Sequence, residues 1–377
     1  MRSSGLFKLS CAVALAGCGQ TEHTNPFTIP RAALEQAAGS AGAAGASGSA
    51  VTDWGGTSGS YAAEPLPLVD ELTAVAPSQG CGAPFDGAWS GKQTLETRGV
   101  KDPNCTAHLA DGTPVCGPWA VTREYYLNLP AAYEPNKVYP LVIEGPGCGG
   151  TGVNVYALPK IAQEVIRVGL TPAPNTLGHG TNPEQGCFDT QEGDDSVDWV
   201  FYEKLYDRLN EQLCFDRKRV FAVGYGSGAW LANELGCKYA GDALRPVRAV
   251  IVYQGGLPTE PRYAPSCSQK PLAGMWMHEI LNTSTPFTSA QVAIDRAMAL
   301  ANCPAGQTYA DATFTSFPLG RQPDYTCLRI NDCDPLYPMV VCPFANREQS
   351  NRETDVDAAA AAFIPLFSQP PRAAPAR

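Results

Sequence analysis

Histidine is the scarcest ionisable residue of this chain: four in 377 positions, His23, His108, His179 and His278, with none beyond 278. A mechanism that needs an imidazole late in the chain has none to draw on. Cations are outnumbered as well, 27 Lys and Arg against 37 Asp and Glu, for a formal charge of −10. Without concentrated Lys or Arg to neutralise phosphates, a nucleic-acid partner is disfavoured. Metal-ligand spacings are missing: the sequence has no Cys-x-x-Cys pair and no cluster of histidines, so neither a metal nor a cofactor is expected. Apolar runs are short, and the stretch from Leu9 to Ala16 is too brief to span a bilayer as a helix.

What the N-terminus does hold reads as an export signal over residues 1–17. Arg2 and Lys8 supply its positive region and Leu9 to Ala16 its apolar one. It ends in Leu15, Ala16, Gly17 and Cys18, which resembles a bacterial lipobox and implies lipidation at Cys18. The alternative is ordinary cleavage behind Ala14, Leu15 and Ala16; both routes leave the cytoplasm. A lipid on Cys18 makes the membrane the first expected partner, and Gly19 in place of Asp favours the outer membrane or cell surface. Fourteen cysteines agree with export. Cys11 and Cys18 belong to the signal region, leaving Cys81, Cys105, Cys116, Cys148, Cys187, Cys214, Cys237, Cys267, Cys303, Cys327, Cys333 and Cys342 for up to six disulfides of undetermined pairing.

Glycine and proline are abundant, 37 and 33, and partly concentrated outside any fold. Residues 18–80 include Gln36 to Ala50, almost wholly Ala, Gly and Ser, which cannot bury enough apolar surface to offset its ordering entropy. This is a flexible tether. A Pro/Ala-rich tail occupies 369–377, which leaves a domain over 81–368. Within it, strands are expected at Tyr125 to Leu129, Tyr139 to Ile143, Val220 to Val223, Ala249 to Tyr253, Leu272 to Met277 and Met339 to Cys342. Val197, Phe201, Leu205, Leu209 and Leu213 recur every four residues and mark a helix, with Asp194, Asp195 and Ser196 as cap candidates. Further helices are expected at Ala229 to Leu235, Ala290 to Ala301 and Thr354 to Phe367. Such alternation predicts an α/β fold, a mostly parallel sheet with helices on both faces.

The most informative stretch runs from Arg219 to Trp230, where a strand enters Gly224, Tyr225, Gly226, Ser227 and Gly228 and a helix leaves. A strand, sharp turn and helix of this kind is the setting of a nucleophile elbow. Here the chain resembles the α/β-hydrolase superfamily, in particular the secreted polyhydroxybutyrate depolymerases, feruloyl esterases and related carbohydrate esterases. The resemblance extends over Tyr139 to Gly150 as core strand and oxyanion loop, Asp195 to Leu213, followed by Cys214 to Asp216 and by Arg219 and Val220, as the helix leading to the elbow strand, and Tyr337 to Cys342 as the strand before the catalytic histidine. It covers roughly Tyr125 to Phe367 and implies an esterase scaffold.

The same resemblance implies that the catalytic triad is degenerate. Aligning Gly224 and Gly228 with the family's Gly-x-Ser-x-Gly puts Gly226 at the nucleophile position, and glycine has no side chain with which to attack a carbonyl. Ser227 falls one residue late, where the family uses the backbone N–H for the oxyanion hole, together with Cys148. The acid position, in a pattern like His-Gly-x-x-Asp, is held by Asn282 within Met277 to Asn282, with Pro286 downstream. The position of the histidine, seven residues past Cys342, is held by Gln349. In a serine hydrolase, losing the triad costs on the order of 10⁶ in turnover. The expectation is therefore a non-hydrolytic binding or envelope protein, its ligand a glycan, a polyester fragment or an envelope protein. The alternative is an ester hydrolase with an unorthodox site using Ser227, His278 or a carboxylate; Glu144 and Glu279 could pair near the old site but read rather as solvated loop charge. Asp194, Asp195 and Asp198 read as helix-cap charges rather than metal ligands, and Trp199, Trp230 and Trp276 as core.

Overall fold

The computed structural model describes residues 74–85, 87–98, 120–154, 158–172, 186–188, 196–258, 266–283, 285–319, 325–345 and 352–367. The export signal, Cys18, most of the tether, the tail, Cys105, Cys116, Asp194, Asp195 and Gln349 lie outside them. The strands are β1 (Gly91–Arg98), β2 (Ala120–Asn128), β3 (Tyr139–Gly145), β4 (Ile166–Leu170), β5 (Phe215–Tyr225), β6 (Ala249–Tyr253), β7 (Ala273–Glu279), β8 (Phe314–Phe317), β9 (Cys327–Ile330) and β10 (Met339–Phe344). The helices are α1 (Val197–Gln212), α2 (Ser227–Tyr239), α3 (Phe287–Leu300) and α4 (Arg352–Phe363).

One sheet of ten strands, ordered β1-β2-β4-β3-β5-β6-β7-β10-β9-β8, organises the domain. The run β4-β3-β5-β6-β7-β10 is parallel, and the outer pairings β1–β2, β2–β4, β10–β9 and β9–β8 are antiparallel. Every residue of β3 and β6 is buried, because helices cover both faces of a parallel sheet. Alternate side chains feed two cores. Leu141, Ile143, Val220, Ala222, Val250, Val252 and Trp276 pack with α1, α2 and α3. Val142, Phe221, Val223, Ile251, Met275, Met277 and Val340 pack with α4. Each large apolar side chain so buried contributes about 1.5–3 kcal/mol.

Helix α1 starts where the four-residue repeat places it. The Ser196 hydroxyl accepts from the Asp198 N–H at 3.3 Å, filling a donor that the first turn leaves open. Asp198 itself meets Arg123 of β2 at 2.5 Å, with both side chains essentially out of solvent. The strands β1, β4, β8 and β9 were not anticipated. They are short or polar and lie in or beside the antiparallel flanks, where alternation is weak.

The domain begins earlier than the composition suggested. Residues 76–80, assigned to the tether, lie against the fold. Ala76 accepts from the Arg217 N–H, Pro77 bridges Asp216, and the buried Ser78 hydroxyl accepts from the Phe215 N–H at 2.8 Å. Cys81–Cys214 then fastens the segment at the start of β5. Among the described residues four more disulfides follow, Cys148–Cys187, Cys237–Cys267, Cys303–Cys333 and Cys327–Cys342. This framework fits an exported protein.

Candidate functional site

Between the last residue of β5 and the first of α2 stands a single residue, Gly226, with φ 52° and ψ −121°. That backbone region is cheap only for glycine. The two flanking glycines are required for a different reason. A Cβ on Gly224 would sit 2.1 Å from the carbonyl oxygen of Gly228, and one on Gly228 would sit 2.0 Å from that of Gly145. Helix α2 therefore touches β5 and β3 backbone to backbone. At Gly226 an added Cβ meets nothing closer than the Cα of Gly147, at 3.6 Å. The turn has room for a Cβ facing the loop behind β3, and carries none.

That loop contains Cys148, exposed and disulfide-bonded to Cys187. Beside it Gly149 takes φ 74° and its N–H donates to Gly186 at 2.8 Å, while the Gly150 N–H closes a turn on Gly147 at 3.0 Å. Ser227 opens α2, which places its N–H at the positive end of the helix. Its hydroxyl is 3.5 Å from the carbonyl of Pro146, turned toward the loop rather than toward an imidazole.

The other expected positions are distributed as follows. Asn282, three residues past β7, leaves from the same end of the sheet as Gly226, because β5, β6 and β7 are parallel neighbours. Its side-chain oxygen accepts from the Thr285 N–H at 2.9 Å, a turn that leads into α3. His278 is buried on the α3 side of β7, ring against ring with Phe287. Its Nδ1 lies 2.9 Å from the Glu279 carbonyl and its Nε2 has no hydrogen-bond partner, so it serves neither Ser227 nor the elbow. Burial pushes the imidazole down to about 4, against the opposing pull of the Glu279 carbonyl.

Two expectations need correction. Glu144 and Glu279 are not solvated loop charges: Glu144 is fully buried within β3 and Glu279 ends β7 partly buried, and at three strand spacings, or about 14 Å, they form no carboxylate pair either. Glu279 instead takes the Gln254 amide, Nε2 to Oε2 at 3.5 Å. Trp199 and Trp276 are core as expected, but Trp230, one turn into α2, is only partly buried, because it falls on the outer side of that helix.

Sequence reasoning missed Gln254. It follows β6, is buried, and holds φ 55°, a left-handed backbone that only glycine adopts freely. The Gly255 and Gly256 behind it were the available signal. Also missed was a run of aromatic rings beside the elbow. Tyr225 to Tyr253, Tyr253 to Phe344 and Phe344 to Tyr325 have centroid separations of 5.8, 5.4 and 5.7 Å.

A mostly parallel sheet in this strand order, with a strand, glycine turn and helix at its centre, defines a protein of the α/β-hydrolase fold. Among known proteins the chain is similar to feruloyl esterases. It is 27% identical over 201 residues to feruloyl esterase C of Emericella nidulans, covering 51% of this chain and 60% of that protein. It is 24% identical over 205 residues to feruloyl esterase D of Neurospora crassa, covering 50% of this chain and 58% of that one. The match thus spans about three fifths of the length of these relatives. Among solved structures, esterase 2 of Thermogutta terrifontis overlaps 75% of this chain and 97% of its own, with 11% identity and a TM-score of 0.41. No family model matches the sequence.

Proposed function

We propose that this chain is an exported, membrane-anchored protein that uses an esterase scaffold to bind an acylated glycan or polyester fragment without cleaving it. One observation carries the proposal: the elbow turn is complete in backbone and in packing, yet its apex is Gly226. Acyl transfer from a serine needs an attacking oxygen and a base to take its proton. Neither is supplied at this turn. The neighbouring hydroxyl, Ser227, faces a carbonyl, and the single histidine among the described residues is buried elsewhere. The glycine turns, the start of α2 and the rings from Tyr225 to Tyr325 are the groups beside which an acyl or aromatic group would be held. The anchor rests on the lipobox-like segment at Cys18.

The competing reading, a carboxylic-ester hydrolase with an unorthodox site, draws on the similarity to feruloyl esterases. The purified domain separates the two when assayed with methyl ferulate and short-chain p-nitrophenyl esters. We expect turnover no faster than the buffer control, alongside saturable binding of a feruloylated oligosaccharide or a hydroxybutyrate oligomer. Robust turnover abolished by Ser227→Ala would establish the hydrolase instead.

A further inference from the structure

Among the described residues ten cysteines are joined in five disulfides, and of the ten only Cys148 is exposed. Its partner Cys187 is half-buried. Three of the other bridges have a buried end, at Cys214, at Cys237 and at both Cys327 and Cys342, and the fourth, Cys303–Cys333, is half-buried at both ends. Thiol–disulfide exchange requires a thiolate to reach a sulfur, so access decides which bridge it opens.

What this bridge holds is the loop behind β3, whose Gly147 Cα is the nearest atom to a Cβ placed on Gly226. The base of the loop is seated without it: Gly145 and Pro146 are buried, and Gly145 lies backbone to backbone against Gly228. Beyond Pro146 the chain runs Gly147, Cys148, Gly149 and Gly150, with no side chain besides the cysteine's to anchor it. The bridge and one backbone hydrogen bond, from the Gly149 N–H to the Gly186 carbonyl at 2.8 Å, tie this stretch to residues 186–188. Phe188, buried in the core beneath α1, fixes the far side of that tie.

We infer that Cys148–Cys187 is a site of thiol–disulfide exchange, which takes an external dithiol and releases the loop facing the elbow. The dithiol's thiolate bonds to the accessible Cys148 sulfur, the Cys148–Cys187 bond breaks, and its electron pair leaves on Cys187. The second sulfur of the dithiol then bonds to the first, closing a cyclic disulfide and freeing Cys148. Each departing cysteine sulfur takes up one proton, so the dithiol is oxidised by two electrons and the protein reduced by two. With Phe188 still seated, Cys187 stays within reach and oxidation restores the same pair. The site stands independently of whether the elbow binds or hydrolyses esters.

Brief treatment of the folded full chain with dithiothreitol, then iodoacetamide and peptide mapping, should label Cys148 and Cys187 at least about tenfold faster than the other eight described cysteines. Limiting glutathione, a monothiol, should be trapped as a mixed disulfide on Cys148. In the alkylated protein, hydrogen exchange at the Gly149 amide should quicken at least about tenfold while the amides of β5 and β6 keep their protection. The double variant Cys148→Ser, Cys187→Ser should show the same exchange pattern with no reductant present, which separates loss of the bridge from the bulk of the alkyl groups. Opening of Cys303–Cys333 at the same rate, glutathione on Cys187, or unchanged Gly149 exchange would each overturn the inference. So would protection lost throughout the sheet in both the alkylated chain and the serine variant, since the bridge would then be a staple of the fold.

Discussion

A single methyl group distinguishes the glycines of the elbow. Gly226→Ala has space for its Cβ but must hold φ 52°, so its cost is conformational, about 1–3 kcal/mol. Gly228→Ala drives a carbon into the carbonyl of Gly145 and must push α2 off β3, costing about 3 kcal/mol or more. Denaturant melts of the two variants should rank them in that order, and a milder Gly228→Ala would show that the helix is not seated as described. His278 makes a prediction in pH. The folded imidazole titrates near 4 against an ordinary 6.5, so the unfolded chain takes up a proton that the folded one refuses. Stability from this group is complete above pH 6.5 and falls away as pH drops toward 4, by about 3 kcal/mol in all. His278→Leu should remove that part of the pH dependence, measured as the difference between urea unfolding free energies at pH 7 and pH 4. An unchanged difference would place the imidazole in solvent.

At the level of elements, the buried pair between β2 and α1 is the sharpest test. Arg123→Met removes the buried counter-charge of Asp198 and should cost about 3–5 kcal/mol by chemical denaturation. Replacing both partners with apolar residues should recover much of the loss, since desolvation of the two charges goes with them. The same region shows what sequence could and could not reveal. The central strands β3, β6, β7 and β10 were legible because both their faces are covered and their residues are continuously apolar. Strand β1 was not, since Lys92, Thr94 and Glu96 read as a polar stretch. Its outer carbonyls at Thr94 and Glu96 are met by Arg208 and Lys204 of α1, a long-range arrangement invisible to periodicity. The elbow was legible because glycines at fixed spacing have a local steric cause. Gln254 was not, because its role depends on Glu279 of a different strand.

Taken as a whole molecule, the cysteine framework was legible in number but not in pairing, because which cysteines meet is decided by strand order. Cys327 and Cys342, for example, come together on the adjacent strands β9 and β10. The anchoring proposal is tested at this scale. Expressed in a bacterial host, the full chain should fractionate with membranes, and Cys18→Ala should shift it to the soluble exported pool. A soluble wild-type chain would favour simple secretion. The attachment of residues 76–81 then has a directional consequence. The chain joins the domain at Ser78 and Cys81, against Phe215 and Cys214 at the root of β5, whereas Gly226 crowns the other end of that strand, roughly 25 Å away once the bulge in β5 is allowed for. If residue 18 carries the proposed anchor, a leash fixed at the base of the central strand turns the opposite pole outward, so the elbow turn would greet the surroundings rather than the bilayer.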